Sequence, residues 1–119
     1  MSKIIIFIGF LLVSQLCIAQ QNKCFINADN TEFKHYIDSC SNELIIDVRL
    51  ADRFITGAID MAINAPTKLS LLNLLNSIDT DTPILVYCTH GERSVQACNI
   101  ICEKGFLLVV NLKNGYADW

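Results

Sequence analysis

Seven consecutive residues carry the most reactive chemistry in this chain: Cys88-Thr89-His90-Gly91-Glu92-Arg93-Ser94. They follow an apolar run, Pro83-Ile84-Leu85-Val86-Tyr87, and precede a stretch with helical spacing. A strand would deliver one cysteine to a sharp loop, and the loop would open into a helix N-terminus. Backbone N–H groups and the positive end of the helix dipole would then surround the sulfur. Arg93 follows the cysteine by five residues. Such a setting lowers a thiol's pKa and holds an anion beside it. The chemistry implied is a nucleophilic thiolate acting on an anionic or polarisable substrate.

The rest of the chain must position that loop. Phe25-Ile26 reads as a short first strand, and Asn27 to Thr31 supply several N-caps for a helix running to Cys40. Leu44 to Val48 is a compact apolar strand, followed by a helical turn at Asp52 to Ile55 that Gly57 closes. Ala62-Ile63-Asn64 is a weak strand stopped by Pro66. Leu69, Leu72, Leu75 and Ile78 set a helix over Thr67 to Ser77. Ile84 to Tyr87 and Leu107 to Leu112 are the remaining strands. Arg93 to Lys104 is the helix between them, with Gly105 as its C-cap.

Strands alternate with helices, and several strands are apolar without polar alternation, as expected when both faces are covered. The expected fold is therefore three-layered α/β, with a mostly parallel sheet of about five strands flanked by helices. In such sheets, ligands bind beyond the carboxyl ends of the strands, where Cys88 lies.

With 119 residues the chain is long enough for one domain and not two. Its 52% hydrophobic content is inflated by the first residues. Met1-Ser2-Lys3 is a short positive start, Ile4 to Val13 an apolar run, and Cys17-Ile18-Ala19 an ending with a small last residue. That layout is a secretory signal peptide over 1–19. The run is short for a span: ten residues of helix reach about 15 Å, half of a bilayer core of roughly 30 Å. The protein is therefore expected to be exported, periplasmic or secreted. A membrane enters only if the segment stays uncleaved. Residues 20–26 form an N-terminal segment and 27–119 the domain.

The whole chain carries a net charge of −3. Without Lys3 the balance is eight basic against twelve acidic residues, or −4. That argues against nucleic acid as a partner. Two histidines and no paired cysteine clusters argue against a metal site.

Several blocks together resemble a single-domain rhodanese, a member of the rhodanese-like sulfurtransferases. Leu44-Ile45-Ile46-Asp47-Val48-Arg49 is similar to the family's apolar-Asp-Val-Arg strand. Phe54 to Ile59 and Ala62 to Pro66 resemble its next two signatures, and Tyr87 to Ser94 its active loop. Gly105-Phe106 and Asn114-Gly115-Tyr116-Ala117-Asp118-Trp119 resemble its closing segment. The departures are Arg53 in place of a frequent acidic residue, Ala58 for a common histidine, Met61 for a glycine and Asn114 for another.

The resemblance implies transfer of sulfane sulfur from a donor such as thiosulfate, through a persulfide on Cys88, to a thiophilic acceptor. The partners implied are a small sulfur-containing anion or thiol and a protein sulfur acceptor, with no cofactor. Cys88 would be catalytic. Thr89, His90, Gly91, Glu92, Arg93 and Ser94 would bind substrate, their N–H groups stabilising thiolate, persulfide and departing anion. Arg93 reads equally as charge support for the anion or as a structural tie to an acid such as Asp47. Asp47 and Arg49 read as a brace at the sheet end behind the loop. His90 reads as lining the loop mouth, with proton shuttling as the alternative. Gly91 would supply a backbone conformation other residues adopt only with strain. Glu92 opposes Arg93, so with His90 neutral the loop side chains sum to zero, and only weak attraction for thiosulfate is expected.

Two other readings compete. A non-catalytic binding or sulfur-carrier module would keep the fold, although such relatives commonly lose the cysteine. A phosphatase or arsenate reductase on this fold usually has a loop one residue longer than the six from Cys88 to Arg93.

Five cysteines remain after the signal: Cys24, Cys40, Cys88, Cys98 and Cys102. An odd count leaves at least one thiol unpaired or shared between molecules. Cys98 and Cys102 share a helix face and read as buried small hydrophobes, with a resolving role toward Cys88 as the alternative. A strand rising from Cys24 and a helix returning to Cys40 place both at one sheet edge. An exported compartment permits a Cys24–Cys40 disulfide there, worth roughly 3 kcal/mol, with both thiols free as the alternative.

Overall fold

The structure, a computed structural model, describes residues 23–119. The segment read as a signal peptide lies outside the described residues. Among those described, β1 (Ile26–Ala28) leads through Asp29 into α1 (Asn30–Ser39). Asp29 is the N-cap and accepts a 2.8 Å hydrogen bond from the Glu32 N–H. The chain continues through β2 (Leu44–Asp47), α2 (Ala51–Thr56), β3 (Ile63–Asn64) and α3 (Lys68–Leu75). It closes with β4 (Ile84–Tyr87), α4 (Arg93–Glu103), β5 (Val109–Leu112) and a 3₁₀ turn over Tyr116–Asp118.

The five strands form one sheet in the order β1-β5-β4-β2-β3, and every pair is parallel. Parallel neighbours require crossovers, which the helices supply on both faces. One core packs α3 and α4 against the sheet through Leu71, Leu75, Ala97, Cys98 and Ile101. The other packs α1 through Phe33, together with Ile59 and Val110.

Element ends differ slightly from the sequence reading. Thr67 stands outside α3 as its N-cap, because its side chain and that of Ser70 cap each other's backbone N–H reciprocally. The last strand begins at Val109 rather than Leu107. Leu107 is exposed, and its N–H goes to the Thr80 carbonyl instead of a strand neighbour.

β4 lies inside the sheet and is buried throughout. Its alternation decides what faces the loop. Ile84, Val86 and then Cys88 point toward the α3/α4 core, while Leu85 and Tyr87 point toward α1. Cys88 thus extends an inward-facing row and arrives beneath the first turn of α4.

The same two-faced arrangement corrects the expected disulfide. Cys24 is bonded to Cys102, 78 residues away, with Cα atoms 6.1 Å apart. Cys40 is free. The segment before β1 packs on the α4 face, where buried Phe25 joins the cluster of Ala97, Cys98 and Ile101. Cys40 ends α1, on the opposite face. The two cysteines share an end of the sheet but not a side. Cys102 is therefore not an inert hydrophobe; it ties the end of α4 to the entry of β1.

Candidate active site

Cys88 leaves β4 with its side chain buried at 3% exposure. Three groups converge on its sulfur. The N–H of Gly91 donates across 3.1 Å, the N–H of Ser94 across 3.3 Å, and the Ser94 hydroxyl oxygen lies 3.2 Å away. Burial pushes the thiol's pKa up. The Ser94 hydroxyl and the N–H groups of Ser94, Gly91 and His90 outweigh it, so the thiol ionises below its ordinary value. As a thiolate the sulfur accepts all of these bonds.

Ser94 is fully buried in the first turn of α4, where helix N–H groups have no intrahelical acceptor. The loop curls because Gly91 holds a φ of +89°, and a side chain there would collide with the Lys113 carbonyl. Gly115, with a φ of +74°, lies equally close to the Thr89 carbonyl. Two glycines from distant segments therefore let the loop and the closing segment touch backbone to backbone.

That closing segment is a strap the sequence did not advertise. The Tyr116 N–H donates to the Cys88 carbonyl at 2.8 Å, and the Ala117 N–H to the Thr89 carbonyl at 3.0 Å. The Asn111 amide, fully buried in β5, donates to the Gly91 carbonyl at 3.3 Å and to Asn27 at 2.9 Å. Main-chain bonds have no residue signature. The only hint in the sequence was a polar side chain, Asn111, inside an apolar strand.

Asp47 alternates to the face of the sheet opposite the Cys88 sulfur, and Arg49 lies at the sheet end, where it also lines the pocket over Cys88. The Asp47 carboxylate is fully buried and takes the Arg49 backbone N–H at 2.8 Å and its Nη2 at 2.7 Å. Arg49 also donates to the Gly57 carbonyl at 2.6 Å, and its guanidinium lies 4.2 Å from the Tyr116 ring centre. A buried carboxylate needs such pairing. The Asp47 hydrogen bond raises the Arg49 pKa against an opposing desolvation effect. This pair holds the end of α2 and the closing segment together behind the loop.

The structural option for Arg93, a tie to Asp47, is not realised, because Arg49 occupies that carboxylate. Arg93 is exposed, and its Nη2 makes a long 3.4 Å contact with the Pro66 carbonyl. It lines an open pocket of about 280 Å³ above the sulfur, with Arg49, Leu50, Arg53, Cys88, Thr89, His90 and Glu92. Of the loop residues, Thr89, His90, Glu92 and Arg93 thus face the pocket, while Gly91 and Ser94 act from beneath on the sulfur itself.

Leu50 and Arg53 were absent from the site as read in sequence. They come from the start of α2, and only Arg53's departure from the family pattern singled it out. Its presence also changes the charge balance, since Arg53 and Arg93 together exceed Glu92.

Cys98, one turn beyond Ser94 on α4, is fully buried, and burial together with nearby Cys88 pushes its thiol up to about 12. It stays protonated and unreactive.

The chain is similar to known proteins in both sequence and fold. Over 75 residues the chain is 36% identical to "Thiosulfate sulfurtransferase GlpE" of Shewanella oneidensis, covering 63% of this chain and 73% of that one. It is 28% identical over 91 residues to a protein named "Sulfurtransferase" from Allochromatium vinosum, covering 76% and 84%. Among solved structures it is similar to the rhodanese-like domain of Anabaena sp. Alr3790, with a TM-score of 0.69 at 28% identity, covering 78% and 71%. Residues 29–119 match the family described as the rhodanese-like domain, and the chain belongs to that family.

Proposed function

We propose that this protein is a sulfurtransferase that carries sulfane sulfur as a persulfide on Cys88. The observation that carries this reading is the set of donors on one recessed sulfur, which favours the thiolate. In the first step the Cys88 thiolate attacks the outer sulfur of a donor such as thiosulfate. The new Cys–S bond forms as the donor's S–S bond breaks, and sulfite leaves with the electron pair. The outgoing and incoming negative charges meet the loop N–H groups and Arg93. In the second step a nucleophilic acceptor, a thiol or a protein carrying one, attacks the outer sulfur of the persulfide. The Cys88 thiolate leaves, and the cycle closes without a cofactor.

Export belongs to the same reading. A signal-type N-terminus and a Cys24–Cys102 disulfide both suit an oxidising compartment.

The test is steady-state turnover with thiosulfate and cyanide beside Cys88→Ser. The expected outcome is thiocyanate formation by the natural chain and none above background by the variant. Equal rates would point to a non-catalytic binding module instead.

A further inference from the structure

We propose that Arg53 is a specificity-determining residue, which selects sulfur compounds carrying negative charge away from the reacting sulfur over neutral thiols. The inference rests on the sulfurtransferase reading and adds the substrate class to it.

Arg53 sits on α2, a six-residue helix with no buried residue, so packing does not account for an arginine there. It lines the pocket over Cys88, as Arg93 does. Among the described residues the only ion pair within 4.0 Å joins Arg49 to Asp47. Arg53 therefore has no carboxylate partner. Its neighbour Asp52 accepts the Arg53 backbone N–H at 2.8 Å and does not line the pocket.

The pocket's charges then fall into two groups. Arg49 is neutralised by Asp47. Arg53 and Arg93 stand against Glu92 alone, leaving one net positive charge at the mouth of a chain whose overall charge is −3. Leu50 gives the same mouth an apolar wall. A thiosulfate-like oxyanion, or a short thiol or persulfide ending in a carboxylate, would place its sulfur on Cys88 and its charge between the two guanidinium groups. Arginine's planar fork suits such oxyanions. A neutral thiol gains nothing from either group.

The experiment compares alkylation of Cys88 by iodoacetate, an anion, and iodoacetamide, its neutral counterpart. Label is read on the Cys88 peptide by mass spectrometry. Arg53→Gln should lower the iodoacetate-to-iodoacetamide rate ratio roughly fivefold, and Arg53→Glu by an order of magnitude, with the iodoacetamide rate unchanged. Arg53→Lys should restore most of the ratio. The thiosulfate KM should rise in Arg53→Gln in the same order. An unchanged ratio in Arg53→Gln overturns the proposal, as does an equal fall in both rates, which would mean that Arg53 only shapes the pocket. The ratio does not depend on turnover. A chain that never turns over thiosulfate but loses its anion preference in Arg53→Gln sinks the sulfurtransferase reading and leaves this selectivity standing.

Discussion

The Ser94 hydroxyl lies 3.2 Å from the Cys88 sulfur, although one residue directly follows a strand and the other is in the first turn of a helix. The intervening loop has to turn back under the helix for the two to meet. Gly91's positive φ permits that turn, and the closing segment holds it in place.

The first prediction follows from that contact. Ser94→Ala removes the hydroxyl donor but keeps the backbone N–H. A hydrogen bond to a charged group is worth about 1.5–3 kcal/mol, so the Cys88 pKa should rise toward its ordinary value. The pH profile of Cys88 alkylation would shift to higher pH. The linkage has a definite sign. The folded thiol titrates below its unfolded value, so its contribution to stability is complete above that unfolded value. The contribution disappears as pH falls through the folded pKa. A profile for Ser94→Ala that overlays the natural one would remove the hydroxyl from the account.

The proposed function gives Arg93 the anion to support rather than the fold. Its guanidinium is exposed and makes one long contact with Pro66. Arg93→Ala should therefore stay within about 0.5 kcal/mol of the natural stability. Its kcat/KM for thiosulfate should fall roughly tenfold or more. Chemical denaturation beside steady-state kinetics separates the two effects. A large stability loss with catalysis kept would reverse the assignment.

The Cys24–Cys102 bond closes a loop of 78 residues, for which the chain-entropy estimate is about 4.5 kcal/mol. Reduction with dithiothreitol, or Cys24→Ser, should lower the denaturation midpoint accordingly. Cys40→Ser should leave it nearly unchanged. Peptide mapping of the unreduced protein should find Cys24 joined to Cys102, with Cys40, Cys88 and Cys98 free to alkylate after denaturation. A Cys24–Cys40 peptide would contradict the structure.

What could be read from sequence was what is local. The strand, loop and helix around Cys88 are contiguous, so the apolar run, Gly91 and the helical spacing already implied a cradle for the sulfur. Parallel sheet and flanking helices were equally legible from apolar strands without alternation. The disulfide was not, because its partner depends on which face of the sheet the entering segment packs against. Phe25 decides that, through contacts with α4 more than 70 residues away. The strap of Tyr116 and Ala117 N–H groups on the loop was hidden for a different reason: main-chain hydrogen bonds do not depend on side-chain identity. The loop's side chains sum to zero, but a pocket is built from segments distant in sequence, and its charge is not the loop's alone. Arg53 reaches the same space from α2.

The most direct measurement is the intact mass of the protein after incubation with thiosulfate and removal of the excess. An amide-cradled thiolate at Cys88 predicts a gain of one sulfur atom, localised to the Cys88 peptide, reversed by cyanide and absent in Cys88→Ser. An unmodified mass under conditions where Cys88 still alkylates would show a reachable sulfur that accepts no cargo, and would contradict the account.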